Sequence, residues 1–319
     1  MKICSYRGEQ KEYPENTLLA FREAILAGAE AIALDVHMTK DRIPVIFQDD
    51  SLGRMVDGIG LLRHHTLEEV QSYRFNDPFA NVEQQIPTID EYLSWADKLP
   101  HRTVLMLKNE QFFYPHLEEE LMKRLDAFEG LDRVIVASAR LESLRQFHMR
   151  YPEVKLAWMS DQLKIDRVER LKELDIKRMM VSAHAVTRQM VALCRENGFY
   201  LDAVDVRTSK QVERLDKLMI DGIFTTDVSM ARQTLGMERM PFTPEQLAQV
   251  EIEEKSPEDE KGQKTQIQIL AQHAKELSAN KGHHGKGNIF SILIAMAICV
   301  TLATVLTSIL MNVLKNFFH

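Results

Sequence analysis

Four short stretches bring groups that could do chemistry to the ends of apolar runs: Tyr6-Arg7-Gly8, Ala33-Leu34-Asp35, Gln48-Asp49-Asp50 and Met106-Leu107-Lys108. Arg7 and Lys108 are cations that can hold an anion or close ion pairs with Glu15, Asp35 and Asp49, and the sequence alone leaves both uses open. His37 follows Asp35 by two positions, so strand alternation would put both side chains on one face. Paired with Glu15 or Asp49 it could move protons; as a rim histidine touching solvent it would do nothing. Tyr6 and Gln48 are poor candidates for that work, because glutamine does not titrate and tyrosine releases its proton only near pH ~10. His64 and His65 precede Thr66-Leu67-Glu68-Glu69, which reads as a loop and a helix start, and they receive no role. Cys4, Cys194 and Cys299 lie too far apart to match a metal-ligand spacing and suit a reducing compartment.

Something must hold these strand ends together. Runs rich in apolar and β-branched residues fall at 2–6, 31–36, 103–108, 134–138, 155–160, 178–183, 201–206 and 222–226, each followed by amphipathic sequence. Such alternation over roughly 240 residues is what a TIM-type (β/α)₈ barrel requires, and there the chemistry sits where strands end, at the C-terminal rim. A further short run at 45–48 predicts an extra strand beside the second. Asn16 is a candidate N-cap for the helix that follows and Gly28 its stop, while Thr88 and Glu91 form a capping-box pattern ahead of 89–99. An open doubly wound sheet is the competing architecture, but no strand is followed by the glycine-rich fingerprint of dinucleotide sites.

The rest of the chain is different in kind. Residues 1–236 read as the barrel, 237–287 as a polar, acidic tether with one short amphipathic helix, and 288–315 as a C-terminal transmembrane anchor. From 289 to 314 no residue is charged and none is proline, a length that at ~1.5 Å per residue exceeds a hydrocarbon core of ~30 Å. The N-terminus shows no signal-peptide pattern, and Lys281 and Lys286 precede the apolar run, so the expected location is a membrane with the globular head facing the cytosol. A net charge of −7 without a basic cluster argues against nucleic acid as a partner.

The rim stretches, taken with Pro14-Glu15-Asn16-Thr17, Thr39-Lys40-Asp41, Pro44-Val45-Ile46-Phe47 and Ile86-Pro87-Thr88, resemble the glycerophosphodiester phosphodiesterase family in order and spacing. The resemblance runs more weakly to Gly222-Ile223-Phe224-Thr225-Thr226-Asp227 and so spans the head. It implies a TIM-type barrel that hydrolyses glycerophosphodiesters to glycerol phosphate and an alcohol with Ca²⁺ or Mg²⁺. It also implies departures. The family's two catalytic histidines fall on Tyr6 and Gln48, and its three metal carboxylates on Ala33, Asp35 and Met106, leaving Asp35 alone competent. Arg7 and Lys108 stand at the phosphate-contacting positions, with Glu15, Asn16 and Asp49 around the pocket.

The expected function is therefore a membrane-tethered pseudoenzyme that binds a phosphodiester, a phospholipid headgroup or a protein partner without hydrolysing it, with no cofactor. Loss of the metal carboxylates would leave a mouth net attractive to anions. The alternative is an active glycerophosphodiester phosphodiesterase or lysophospholipase-type enzyme with a rewired site, in which His37 takes part and a weak Mg²⁺ or Ca²⁺ is held.

Overall fold

The computed structural model describes residues 1–79, 84–163 and 165–238. Nine strands form in chain order: β1 (Lys2–Tyr6), β2 (Ala31–Met38), β3 (Pro44–Ile46), β4 (Arg102–Leu107), β5 (Val134–Ser138), β6 (Lys155–Met159), β7 (Arg178–Ser182), β8 (Tyr200–Val206) and β9 (Gly222–Thr225). All pair in parallel except β3, which adds antiparallel to the outer end of β2, and the β1–β2 and β1–β9 pairings close the sheet into a barrel. The (β/α)₈ expectation is met, and the open sheet is excluded by that closure. The tether and anchor expected from the sequence lie, from 239 onward, outside the described residues; among the described residues no helix is long and apolar enough to cross a membrane.

Strand parity divides the core in two. In β2 the side chains of Ala31 and Ala33 join an inner cluster with Cys4, Tyr6, Val104 and Met106, while Ile32, Leu34 and Val36 pack outward under the helices. The outer layer is the larger one, with residues such as Phe21, Leu34, Tyr92 and Phe147 fully buried. Each contributes about 2 kcal/mol. The surrounding helices are α1 (Leu18–Leu26), α3 (Ile89–Ala96), α4 (Leu117–Leu125), α5 (Leu141–Arg150), α6 (Ile165–Glu173), α7 (Arg188–Glu196), α8 (Ser209–Lys217) and α9 (Val228–Thr234), and the short α2 (Leu67–Ser72) sits in the segment between β3 and α3. That segment has its own apolar cluster around Leu52, Val56, Leu62 and Val70, which strand counting did not anticipate.

Local signals mostly act as expected. Thr88 and Glu91 close a capping box ahead of α3, and Thr66 with Glu69 does the same ahead of α2. One cap is corrected: Thr17, not Asn16, accepts from the N–H of Ala20 to start α1. Asn16 takes a left-handed φ of 60° and spends its amide on Asp35 instead. The predicted strand at 45–48 forms as Pro44–Ile46, which leaves Gln48 beyond its end.

Under α3 a histidine is buried with little to offset its charge. His101 is 7% exposed, its Nε2 lies 3.1 Å from the Tyr92 hydroxyl, and its Nδ1 has no partner among the described residues. Burial, helped by Arg133, lowers its pKa from 6.5 to about 4. Above pH 6.5 neither folded nor unfolded chain carries this charge; between there and pH 4 only the unfolded chain takes up the proton, so stability falls as pH falls. Chemical denaturation across that window should show wild type losing about 3 kcal/mol more than His101→Phe. Parallel profiles for the two proteins would mean that His101 titrates normally.

Candidate active site

The C-terminal ends of β1, β2 and β4 meet in register. Tyr6 sits opposite Ala33 and Asp35 opposite Met106. Just past the strand ends, the N–H of Arg7 donates to the Ala33 carbonyl at 2.8 Å and that of Lys108 to the Val36 carbonyl at 3.0 Å, so the main chain of both residues is tied to β2. The chain turns sharply after β1, with Arg7 at φ 68° and Gly8 at φ 92°. Gly8 is needed there, since a Cβ would stand 2.4 Å from Cβ of Ala20 and against the α1 backbone. This close packing carries the loop bearing Glu15 and Asn16 over the barrel mouth.

Asp35 is 1% exposed and fully engaged. Its Oδ2 accepts from Asn16 Nδ2 at 3.0 Å and lies 2.6 Å from Arg7 Nε, and its Oδ1 is 4.0 Å from Lys108 Nζ. The Arg7 contact is a charge contact with poor N–H alignment, because that Nε–H finds no properly directed acceptor. The other nitrogens of Arg7 reach Tyr6 Oη at 2.5 Å and Glu15 at 3.5 Å, and the guanidinium lies 4.2 Å from the Tyr6 ring centroid. Burial works against the Arg7 charge, but Asp35, Tyr6 and Glu15 outweigh it and push its pKa up. Burial and then Asp35 drive the Tyr6 pKa up as well, against the pull of Arg7, so Tyr6 stays a neutral phenol.

Arg54 is the residue that sequence reasoning missed. From the loop after β3 it pairs with both Glu15 and Asp49, and nothing in the spacing announces it, because only the path of that loop brings it there. Three cations, Arg7, Arg54 and Lys108, therefore meet three carboxylates, Glu15, Asp35 and Asp49. The expected net-positive mouth is corrected: the network balances itself.

His37 is also corrected. It shares the inward parity of Asp35, yet it is completely buried and does not touch solvent. Nδ1 lies 2.8 Å from the Tyr114 hydroxyl and Nε2 3.2 Å from the Gln48 carbonyl. A carbonyl only accepts, so Nε2 carries the proton and Nδ1 accepts from Tyr114. Burial lowers the His37 pKa, and neither Glu15 nor Asp49 is its partner. Tyr114 is held in turn by a buried set in which Asn109 accepts from the Tyr114 N–H and donates to Glu118. Gln48 offers His37 its backbone, while its side-chain Oε1 is buried without a partner among the described residues.

A hard dication needs several anionic oxygens at once. Ala33 and Met106 face the barrel interior with no exposure and bring no oxygen from their side chains. Asp35 is the one carboxylate at those three positions, and two cations and an amide already occupy it. Among the described residues no group of three or more His, Cys, Asp or Glu gathers to hold a metal. These residues do not fit a Ca²⁺ or Mg²⁺ site. What the mouth offers instead is two cations, Arg7 and Lys108, whose counter-charge is internal.

Known proteins sharpen the picture. The family description "Glycerophosphoryl diester phosphodiesterase family" matches residues 7–230. A glycerophosphodiester phosphodiesterase of Bacillus altitudinis is 31% identical over 231 residues, covering 70% of this chain and 94% of the relative. One from Caldanaerobacter subterraneus is 28% identical over 229 residues, covering 70% and 93%. Among solved structures, an Oleispira antarctica phosphodiesterase in complex with the product sn-glycerol-3-phosphate superposes with a TM-score of 0.68 at 23% identity, covering 74% of this chain and 97% of that one. At this identity the structural likeness speaks for the fold alone. The sequence matches reach further, across the whole barrel and the loops of its mouth: the chain belongs to the glycerophosphoryl diester phosphodiesterase family.

Proposed function

We propose that the barrel mouth binds a glycerophosphodiester or its glycerol phosphate moiety through Arg7 and Lys108 and does not hydrolyse it. The observation that carries this reading is the state of Asp35, neutralised by Arg7 and Lys108 where a metal would need it free. Proton transfer is short of a carrier too. Tyr6 is held neutral by burial, Gln48 does not titrate, and both ring nitrogens of His37 are committed inside the protein. The phosphate-directed half of the proposal is supported by family membership, since the matched relatives are named for glycerophosphodiesters. In the chain as a whole, the uncharged run at 289–314 would hold this head at a cytosolic membrane surface, near phospholipid-derived ligands.

Hydrolysis is the second reading, and the comparisons lean towards it, because the relatives matched over the whole barrel are named as phosphodiesterases. On that reading Asp35, the one carboxylate at positions 33, 35 and 106, would have to be free of Arg7 and Lys108, which it is not here. The purified protein, offered glycerophosphocholine, glycerophosphoethanolamine and lysophospholipids with Mg²⁺, Ca²⁺ or Mn²⁺, should show no turnover, while sn-glycerol 3-phosphate should raise its melting temperature. Turnover that Asp35→Ala abolishes would instead establish the hydrolase.

A further inference from the structure

We infer that Asp35 is an internal counter-anion that competes with the ligand's phosphate for Arg7 and Lys108, so that removing its charge tightens binding and no metal takes part. The inference rests on the phosphate-binding reading above and says how that site is governed.

Three observations meet at one carboxylate. First, Arg7 Nε lies 2.6 Å from Asp35 yet is a buried N–H without a directed acceptor, so the pair is held by charge and not by a good hydrogen bond. A phosphate oxygen in the guanidinium plane would satisfy the same N–H with better geometry. Second, Lys108 approaches Asp35 only to 4.0 Å and its side chain keeps 22% exposure, so it can turn towards a ligand entering from solvent. Third, Asp35 has an anchor of its own, since Asn16 donates to Oδ2 and accepts from the Asp35 N–H. The carboxylate can therefore stay in place while the guanidinium changes partner.

Charge counting gives the direction. Within the ion-pair network, where Arg54 answers Glu15 and Asp49, the sum rises from zero to plus one when Asp35 loses its charge, and the other carboxylates acting on it, Glu110 and Asp205, are the same in both proteins. A metal site behaves in the opposite way, because there Asp35 is a ligand and its loss weakens anything the metal holds. The same substitution thus moves affinity up in one case and down in the other.

The experiment is calorimetric titration of full-length wild type and Asp35→Asn with sn-glycerol 3-phosphate, in EDTA and again in Ca²⁺. Asparagine keeps the shape and can still accept from Asn16. The expected result is binding about tenfold tighter in Asp35→Asn, corresponding to about 1.4 kcal/mol, unchanged by EDTA. Wild-type binding that Asp35→Asn leaves equal or weakens would overturn the inference while the phosphate-binding reading stands. Binding that needs Ca²⁺ would overturn it in favour of the hydrolase. Absence of binding by both proteins would remove the phosphate-binding reading itself, and the inference with it. Should Asp35→Asn fail to fold, wild type labelled with ¹⁵N-arginine decides: the Arg7 Nε–H resonance, assigned by its loss in Arg7→Lys, must move when sn-glycerol 3-phosphate is added. A resonance that stays put under a ligand that binds sinks the exchange.

Discussion

The combined variant Tyr6→His, Ala33→Glu, Gln48→His and Met106→Glu should acquire metal-dependent hydrolysis of glycerophosphocholine, at a rate at least ~10⁴-fold above wild type. The figure follows from restoring two proton-transfer groups, each worth roughly 10²–10⁴. Geometry permits the gain, because Ala33 stands two positions before Asp35 on β2, Met106 stands opposite Asp35 on β4, and both point into the same barrel interior. It also sets a penalty. Positions 33 and 106 are fully buried in an apolar layer, and two added carboxylates beside Asp35 would repel one another without a cation. The variant should therefore melt well below wild type in EDTA and recover in Ca²⁺, by about 2.7 kcal/mol at a hundredfold excess over the dissociation constant. Recovery without turnover would show that metal binding returned and that some other group is missing. Turnover already present in wild type would show that these four positions do not limit the reaction.

The parts of the molecule that were legible in the sequence are those decided by neighbours along the chain. Alternation of apolar runs announced the barrel, since an element that buries one face carries the matching period in its own sequence, whichever distant partner covers that face. The Thr88–Glu91 capping box was readable for the same reason: donor and acceptor are three residues apart. Asn16 shows where this stops. Asn and Thr are both good caps, and the choice of Thr17 was made by Asp35, nineteen positions away, which takes the Asn16 amide. His37 was placed on the correct face by parity, but its burial depends on Tyr114, brought from a loop 77 residues further on. Arg54 is the extreme case, for it reaches Glu15 across 39 positions with no periodic pattern to mark it. Family resemblance located the strand-end residues well, and yet the electrostatic balance of the mouth had to be read from contacts between loops.

Replacing only one member of the Arg7–Asp35 pair should destabilise the barrel more than replacing both. In Asp35→Leu the Arg7 guanidinium, with 8% of its side chain exposed, would keep only the looser Glu15 contact and the Tyr6 hydroxyl. In Arg7→Met the Asp35 carboxylate would keep Asn16 and a Lys108 ammonium 4.0 Å away. Breaking a buried pair from one side costs about 3–5 kcal/mol, because a charge is left where water cannot reach it, whereas an apolar pair of similar volume is often neutral. The double variant should accordingly recover most of the loss, with a coupling of about 2 kcal/mol in a denaturation cycle. Its ligand response should vanish along with Arg7. Additive losses would mean that solvent screens the pair and that Asp35 is freer to take other cations than its burial implies. A strong coupling with lost ligand binding would instead separate two roles of one residue: stability asks only that the Arg7 charge be answered, while recognition asks that the answer be exchangeable.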